Sequence, residues 1–323
     1  MNILYKHFWT RAFLPSIFIL TLVLAASAMA ATLEEVENEQ SNILSSKLIE
    51  EQLNWSQLTY KATLLGFSVK SKIDLVSIPT NETDVILMDT DPHVAVASSS
   101  KNNYYMTLHT KLLGRDMRTM IWFDPADVRA LQRVRLETGA KQNEYKAYRF
   151  TENGTFMIRK KPKNGEAKLP HEKWTNINSE HSKLPHKVSN QLMLAEPASL
   201  FYIVSVADLS TPGDAIELPM LSRGKVVMVK LTVENQQTYQ ADYTKKKSSK
   251  EKEIKQDIDA LEISIRARSL ENPNETYDLK IAGLKGNLRF IIDQKTHIPL
   301  ELSGKMKVLG TVRFKLEEIV AAE

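Results

Sequence analysis

Near the end of the chain the apolar residues fall on every second position. Ile298, Leu300, Leu302, Met306 and Val308 alternate with Pro299, Glu301, Ser303, Lys305 and Lys307, and Gly304 falls in step on the apolar side. After Leu309-Gly310-Thr311, Val312, Phe314 and Leu316 alternate with Arg313, Lys315 and Glu317. A period of two means strands with one dry and one wet face, so residues 293–316 predict a β-hairpin. The same period recurs upstream. Tyr60, Ala62 and Leu64 occupy even positions, whereas Phe67, Val69, Ile73 and Leu75 occupy odd ones. The switch at Leu65-Gly66 predicts a bulge or sharp bend.

Further strands are expected at 84–88 and 93–98, and at 104–113 paired with 117–123 across Gly114-Arg115-Asp116. Residues 145–150 and 155–159 predict a hairpin about Asn153-Gly154, a dipeptide that favours tight turns. The segments 217–236, 237–244, 261–267, 277–281 and 288–292 complete the expected sheet, and 126–137 fits neither period cleanly. Two stretches read as helical. In 32–54, Thr32 and Glu35 have capping-box spacing, and Leu33, Val36, Ile43, Leu44 and Leu48 share a face. In 192–207, the longest apolar run of the mature chain, Pro197 marks a break. Residues 198–209 then predict a helix plugged into the open side of the sheet, with a buried strand as the competing reading. Residues 160–191 read as a polar surface excursion, and the charge run 245–257 as a solvated hairpin loop, with contact to anionic lipid or nucleic acid as the competing reading.

The first 30 residues have the pattern of a cleavable signal peptide. Lys6, His7 and Arg11 precede an apolar run, and Ala28-Met29-Ala30 stands ahead of Ala31. An uncleaved anchor is the competing reading. No later apolar stretch is long enough to span a bilayer. The expected organisation is therefore a signal peptide at 1–30, a helical segment at 31–56 and a single β domain at 57–323. The 323 residues carry 43 basic and 39 acidic side chains; without Lys6 and Arg11 the balance is 41 to 39, near +2. That balance gives no reason to expect a nucleic-acid partner. The chain has no cysteine, which excludes disulfides, thiolate metal sites, a cysteine nucleophile and a lipid-modified N-terminal cysteine. An exported protein of this kind fits a bacterial periplasm.

Catalytic signals are weak. His171, His181 and His186, with Glu172 and Glu180, carry ligand-type side chains at spacings that match no compact metal motif. Asp124, Asp127, Asp208, Asp214 and Asp293 fall at strand ends and turns, where a carboxylate accepts hydrogen bonds from backbone amides. A paired-carboxylate hydrolase is the sharper alternative. Ser199, Ser205 and Ser210 lie in no nucleophile elbow, and no G-x-S-x-G or H-E-x-x-H motif is present. No catalytic residue, metal ligand or cofactor is assigned. The apolar surplus at Leu200, Phe201, Tyr202 and Val204, with Leu194 and Ile203 beside them, is either core or the lining of a half-barrel cavity for a lipid or other apolar ligand.

Four features in order, spread over 58–319, carry a resemblance. They are LTYKATLLGFSV with Gly66; Phe123-Asp124-Pro125 leading to Ala130-Leu131-Gln132-Arg133; Pro197-x-Ser199-Leu200-x-Tyr202; and Asp293-x-x-Thr296-x-Ile298-Pro299-Leu300 followed by Gly304 and Gly310. Together they resemble the Domain of Unknown Function 3108 family of exported bacterial proteins. The chain departs from that pattern at 68–71, where the family carries a second glycine. The resemblance implies a mainly β fold, a large antiparallel sheet rolled into an open barrel or β-roll, in the Gram-negative periplasm. It implies no established activity, so no site residues carry over. The expectation is a non-enzymatic periplasmic protein that binds an apolar or envelope-derived ligand or acts in envelope maintenance. An envelope glycan or lipid hydrolase and a scaffolding partner of another envelope protein are the alternatives.

Overall fold

The computed structural model describes residues 47–64, 66–112, 114–139, 143–184, 194–307 and 309–322. The expected signal peptide, and 31–46 of the expected helical segment, lie outside the described residues. The remainder of that segment, 47–56, is not α-helical: a 3-10 turn at Glu50–Gln52 leads directly into a strand at Trp55.

The sheet is built largely from hairpins in chain order. β1 (Trp55–Leu64), β2 (Phe67–Pro79), β3 (Asn102–Leu112), β4 (Arg115–Phe123), β5 (Ala130–Gly139), β6 (Glu144–Thr151), β7 (Gly154–Lys161) and β8 (Asn176–Lys183) each pair antiparallel with the next. On the other side of β1 lies β15 (Gly310–Ala321), followed by β14 (Pro299–Met306), β13 (Leu284–Asp293), β11 (Lys250–Ser269), β10 (Lys225–Lys247) and β9 (Ala215–Ser222), with the two-residue β12 (Lys280–Ile281) beside β13. A large antiparallel sheet with two short helices, α1 (Thr80–Ile86) and α2 (Leu200–Val206), is the fold class the alternation calls for.

The sheet rolls because β10 meets β15 a second time, in parallel, at Thr244↔Glu318, Lys245↔Ile319 and Lys246↔Val320. This closes a hydrogen-bonded ring of five strands, β15-β14-β13-β11-β10. A second ring closes through a strap at 194–195. Ala195 bridges Met220 of β9, and the Ala130 amide of β5 donates to the Leu194 carbonyl at 2.8 Å.

α2 fills the interior. All seven of its residues are buried, and Pro197 opens the preceding 3-10 turn, where a missing amide is harmless. Phe201 lies 5.6 Å from the Tyr60 ring and 5.1 Å from Phe290, centroid to centroid. The Trp55 indole donates to Ser205 Oγ at 2.9 Å. At the far end of the helix Ile49 N donates to the Val206 carbonyl at 2.6 Å, capping an orphan acceptor.

Several expectations need correction. The switch of period at Gly66 is neither bulge nor bend but the turn of the β1–β2 hairpin, since Leu64 pairs with Phe67. The strand expected at 84–88 is α1; only Thr83 of this helix is buried, and Val85 and Ile86 face solvent. Residues 93–98 form no strand, contributing only the bridge Ala95↔Thr151. The 217–236 segment is cut by a turn at Arg223-Gly224, both with positive φ, and of 277–281 only β12 is extended. The charged loop expected at 245–257 is instead the end of a long β10–β11 arm, turned at Ser248-Ser249. Its strands show no apolar alternation because neither face is dry there. The same holds within the polar excursion, where β8 pairs with β7 although only His181 of its eight residues is more than lightly covered.

Candidate functional site

The edge of β15 that faces away from β1 pairs with β14 as far as Lys315 and with β10 from Glu318 onward. Leu316 and Glu317 lie between and have no strand partner on that edge. A cleft of about 650 Å³ opens at this gap. Its floor is apolar, formed by Ala62 of β1, Leu300 of β14, Leu316 of β15 and Tyr243 of β10, all buried. Its rim carries Lys61, Arg313 and Lys315, faced by Asp242 and Glu317. Alternation explains the mixture, since Leu316 and Lys315 are neighbours on opposite faces of one strand.

Electrostatics at the rim are unevenly balanced. Glu317 takes Lys70 at 2.5 Å and Lys61 at 3.7 Å. Arg313 Nε stands 3.6 Å from Glu301 Oε1, and the Tyr239 hydroxyl donates to Glu301 Oε2 at 3.4 Å. Burial pushes the Glu301 carboxyl above its ordinary range, against Arg313 and Lys315. Burial and the Glu301 charge push the Tyr239 phenol up in turn. Lys315 is exposed and, among the described residues, has no ion-pair partner. Among the described residues no serine or histidine lines this cleft. A smaller one of about 270 Å³, beside β11 and β13, is lined by Arg266, Asp278 and Arg289 with polar and apolar neighbours.

Leu200, Phe201, Tyr202 and Val204, the candidate cavity lining, are fully enclosed α2 side chains and line neither cleft. Tyr202 packs on Phe123 at 5.1 Å and Tyr104 at 5.3 Å. Its hydroxyl is buried and has no hydrogen-bond partner among the described residues; burial, then Glu50 and Tyr104, push its ionisation up.

The aspartates serve turns and chain crossings. Asp124 accepts from Ser99 N at 2.6 Å, Ser98 Oγ and Ser99 Oγ at 2.9 Å, Ala126 N at 3.0 Å, and the Ser100 hydroxyl. Burial opposes its charge, but these donors, Ser100 foremost, hold the carboxyl below the ordinary range. Asp214 and Asp293 accept amides of their own turns. His171 stacks on Tyr145 at 4.5 Å, His181 stacks on His93 at 3.7 Å, and His186 lies outside the described residues. Among the described residues no group of three potential ligands could hold a metal ion.

Two features have no counterpart in the sequence patterns. One is the cleft, which joins residues from β1, β10, β14 and β15; its only local sign is Tyr239 and Tyr243 in an otherwise polar run. The other is a buried ion pair. Arg133 Nη1 lies 2.6 Å from Glu196 Oε1, with the guanidinium 4.2 Å over the Tyr148 ring. Burial pushes the Glu196 carboxyl up, and Arg133 opposes it.

No protein-family model matches the chain, and no curated protein matches it. Among solved structures it is similar to a β-barrel-like protein of Domain of Unknown Function DUF1849 from Brucella abortus. The two share 10% identity over 84% of this chain and 99% of that one, with a TM-score of 0.43. A likeness of that size carries no argument about the site.

Proposed function

We propose that the chain is an exported, non-enzymatic binding protein that holds an amphiphile with an anionic head, such as a fatty acid or lysophospholipid, in the cleft between β10 and β15. The observation that supports this most is the pairing of an apolar floor (Ala62, Leu300, Leu316, Tyr243) with a charged rim on which Lys61, Arg313 and Lys315 stand against Asp242 and Glu317. An acyl chain gains by leaving water, and a carboxylate or phosphate at its end meets Lys315, which has no ion-pair partner among the described residues, beside Lys61 and Arg313, which Glu317 and Glu301 already engage. About 650 Å³ is within the size range of small-ligand sites. The signal-like N-terminus and the resemblance to the Domain of Unknown Function 3108 family support a periplasmic setting, in which envelope lipids are the available amphiphiles.

Calorimetric titration with oleate and with lysophosphatidylglycerol, both below their micellar concentrations, tests the reading. Saturable one-to-one binding is expected, with uncharged monoolein bound at least about tenfold more weakly, the equivalent of roughly 1.4 kcal/mol. Arg313→Glu with Lys315→Glu is expected to weaken the anionic ligands by a similar factor or more and to leave monoolein unchanged. Equal affinity for charged and uncharged ligands, or no saturable binding, contradicts the reading.

A further inference from the structure

The β10–β11 arm sorts its charge by face. Cross-strand partners, and residues two apart on one strand, share a face. The rungs Lys247/Lys250 and Lys245/Lys252 therefore lie together on one face, followed by Tyr243/Ile254, Ala241/Gln256 and Tyr239/Ile258. Over these five rungs that face bears four lysines and no acid. The opposite face carries Asp242, Glu251, Glu253, Asp257 and Asp259 with only Lys246 and Lys255. There Lys246 reaches Glu318 at 2.8 Å and Glu251 at 3.3 Å, and Lys255 reaches Asp242 at 3.9 Å. Among the described residues none of the four lysines on the first face has an ion-pair partner. Lys247, Lys250 and Lys252 are exposed, and Lys245 is half-buried.

Like charges directly opposite each other oppose strand pairing, and here two such rungs follow in succession. Protecting an open strand edge does not require this, because charge of either sign blunts an edge and the other face of the same arm already mixes both signs. The segregation makes sense against an external anion. We propose that the lysine face at the end of the arm docks on anionic phospholipid headgroups and so brings the mouth of the cleft to a bilayer surface. The arm supplies both parts, since Tyr239 and Tyr243, on the same face as the lysines, line the cleft. Charge and compactness favour a bilayer over a polynucleotide. A single strand is held by a groove with exposed aromatic platforms, whereas the aromatic rung beside these lysines, Tyr243, is 8% exposed. A compact cluster of about four basic residues is the pattern that meets an anionic membrane surface. Docking goes beyond the binding reading and needs no ligand in the cleft, so an empty cleft would leave it standing.

Sedimentation with vesicles tests the proposal on the full mature chain. Vesicles of equal parts phosphatidylglycerol and phosphatidylcholine are expected to bind it at least about a hundredfold more tightly than phosphatidylcholine alone, with the difference shrinking as salt rises. Each lysine is worth roughly fivefold near such a surface, so the variant K245Q/K247Q/K250Q/K252Q is expected to lose roughly 600-fold, nearly three orders of magnitude. The control K101Q/K168Q/K173Q/K225Q removes the same charge elsewhere and is expected to change binding by less than about threefold; circular dichroism checks that both variants fold. Equal binding to the two vesicle types, or an equal loss in the control, overturns the proposal. Tighter, quartet-dependent binding to a single-stranded oligonucleotide than to vesicles overturns it in favour of a nucleic-acid partner.

Discussion

Asp124 shows how a single carboxylate can hold a chain crossing. It gathers three serine hydroxyls and three amides, those of Ser99, Ser100 and Ala126, at the end of β4, and it is fully buried. Asp124→Asn is expected to cost about 2–4 kcal/mol at neutral pH in denaturant unfolding, because a charged acceptor of several buried donors is lost. The folded-state pKa is depressed, so the stability it confers is complete above the ordinary carboxylate value near 4 and fades as pH falls through the lower folded value. The difference between wild type and variant is therefore expected to narrow below about pH 4; a gap constant from pH 7 to pH 3 would contradict this role. The Arg133–Glu196 pair behaves differently. Arg133→Met alone leaves a buried carboxylate, at a cost of about 3–5 kcal/mol, whereas Arg133→Met with Glu196→Gln is expected to cost clearly less than the sum of the two single changes. Chemical denaturation of the four proteins measures the coupling. Neither role is legible in the sequence beyond the general rule that a strand-end aspartate takes amides. The partner of Glu196 comes from β5 and the ring beneath that partner from β6, far away along the chain, and no local pattern announces them.

At the scale of elements, legibility follows wetness. The closing hairpin is plain because apolar residues hold every second position of β14 and β15, even though Pro299 and Glu301 on the other face of β14 are buried as well. β8 and the end of the β10–β11 arm have two wet faces, so their alternation carries no hydrophobic signal even though the backbone ladder is complete. α2 is recognisable as a plug, since a short all-apolar run after a proline suits a buried helix turn, and the four side chains expected to line a cavity are enclosed in it and line neither described cleft. Gly304 sits on the apolar face of β14 where a Cβ would come 2.7 Å from Leu288 Cδ2 and 3.0 Å from Leu284 Cβ. Gly304→Ala is expected to cost about 1–3 kcal/mol through overpacking, and Leu288→Ala in the same chain should recover part of that loss. Thermal unfolding of the single and double variants checks it, and additive losses would contradict the close approach.

For the whole molecule, the decisive contact is the short parallel pairing of β10 with β15, some seventy positions apart in sequence. Non-local pairing of this kind leaves no periodic trace, which is why the sequence points to a roll but not to its closure or to the cleft beside it. Lys246 and Glu318 face each other at 2.8 Å across that junction. Glu318→Lys replaces the attraction with repulsion and is expected to speed amide exchange at 244–246 and 318–320 while leaving β2–β7 unchanged, as read by hydrogen-exchange mass spectrometry. Uniform exchange across the chain would mean that the junction does not open by itself. The most direct test of a bound amphiphile is native mass spectrometry of the protein purified from the cells that export it. A retained adduct of a few hundred daltons that fragments as an anionic lipid is expected, and Thr63→Trp, which fills the mouth of the cleft, is expected to abolish it. A bare chain mass under gentle conditions, or an adduct that survives Thr63→Trp, would contradict binding at this site.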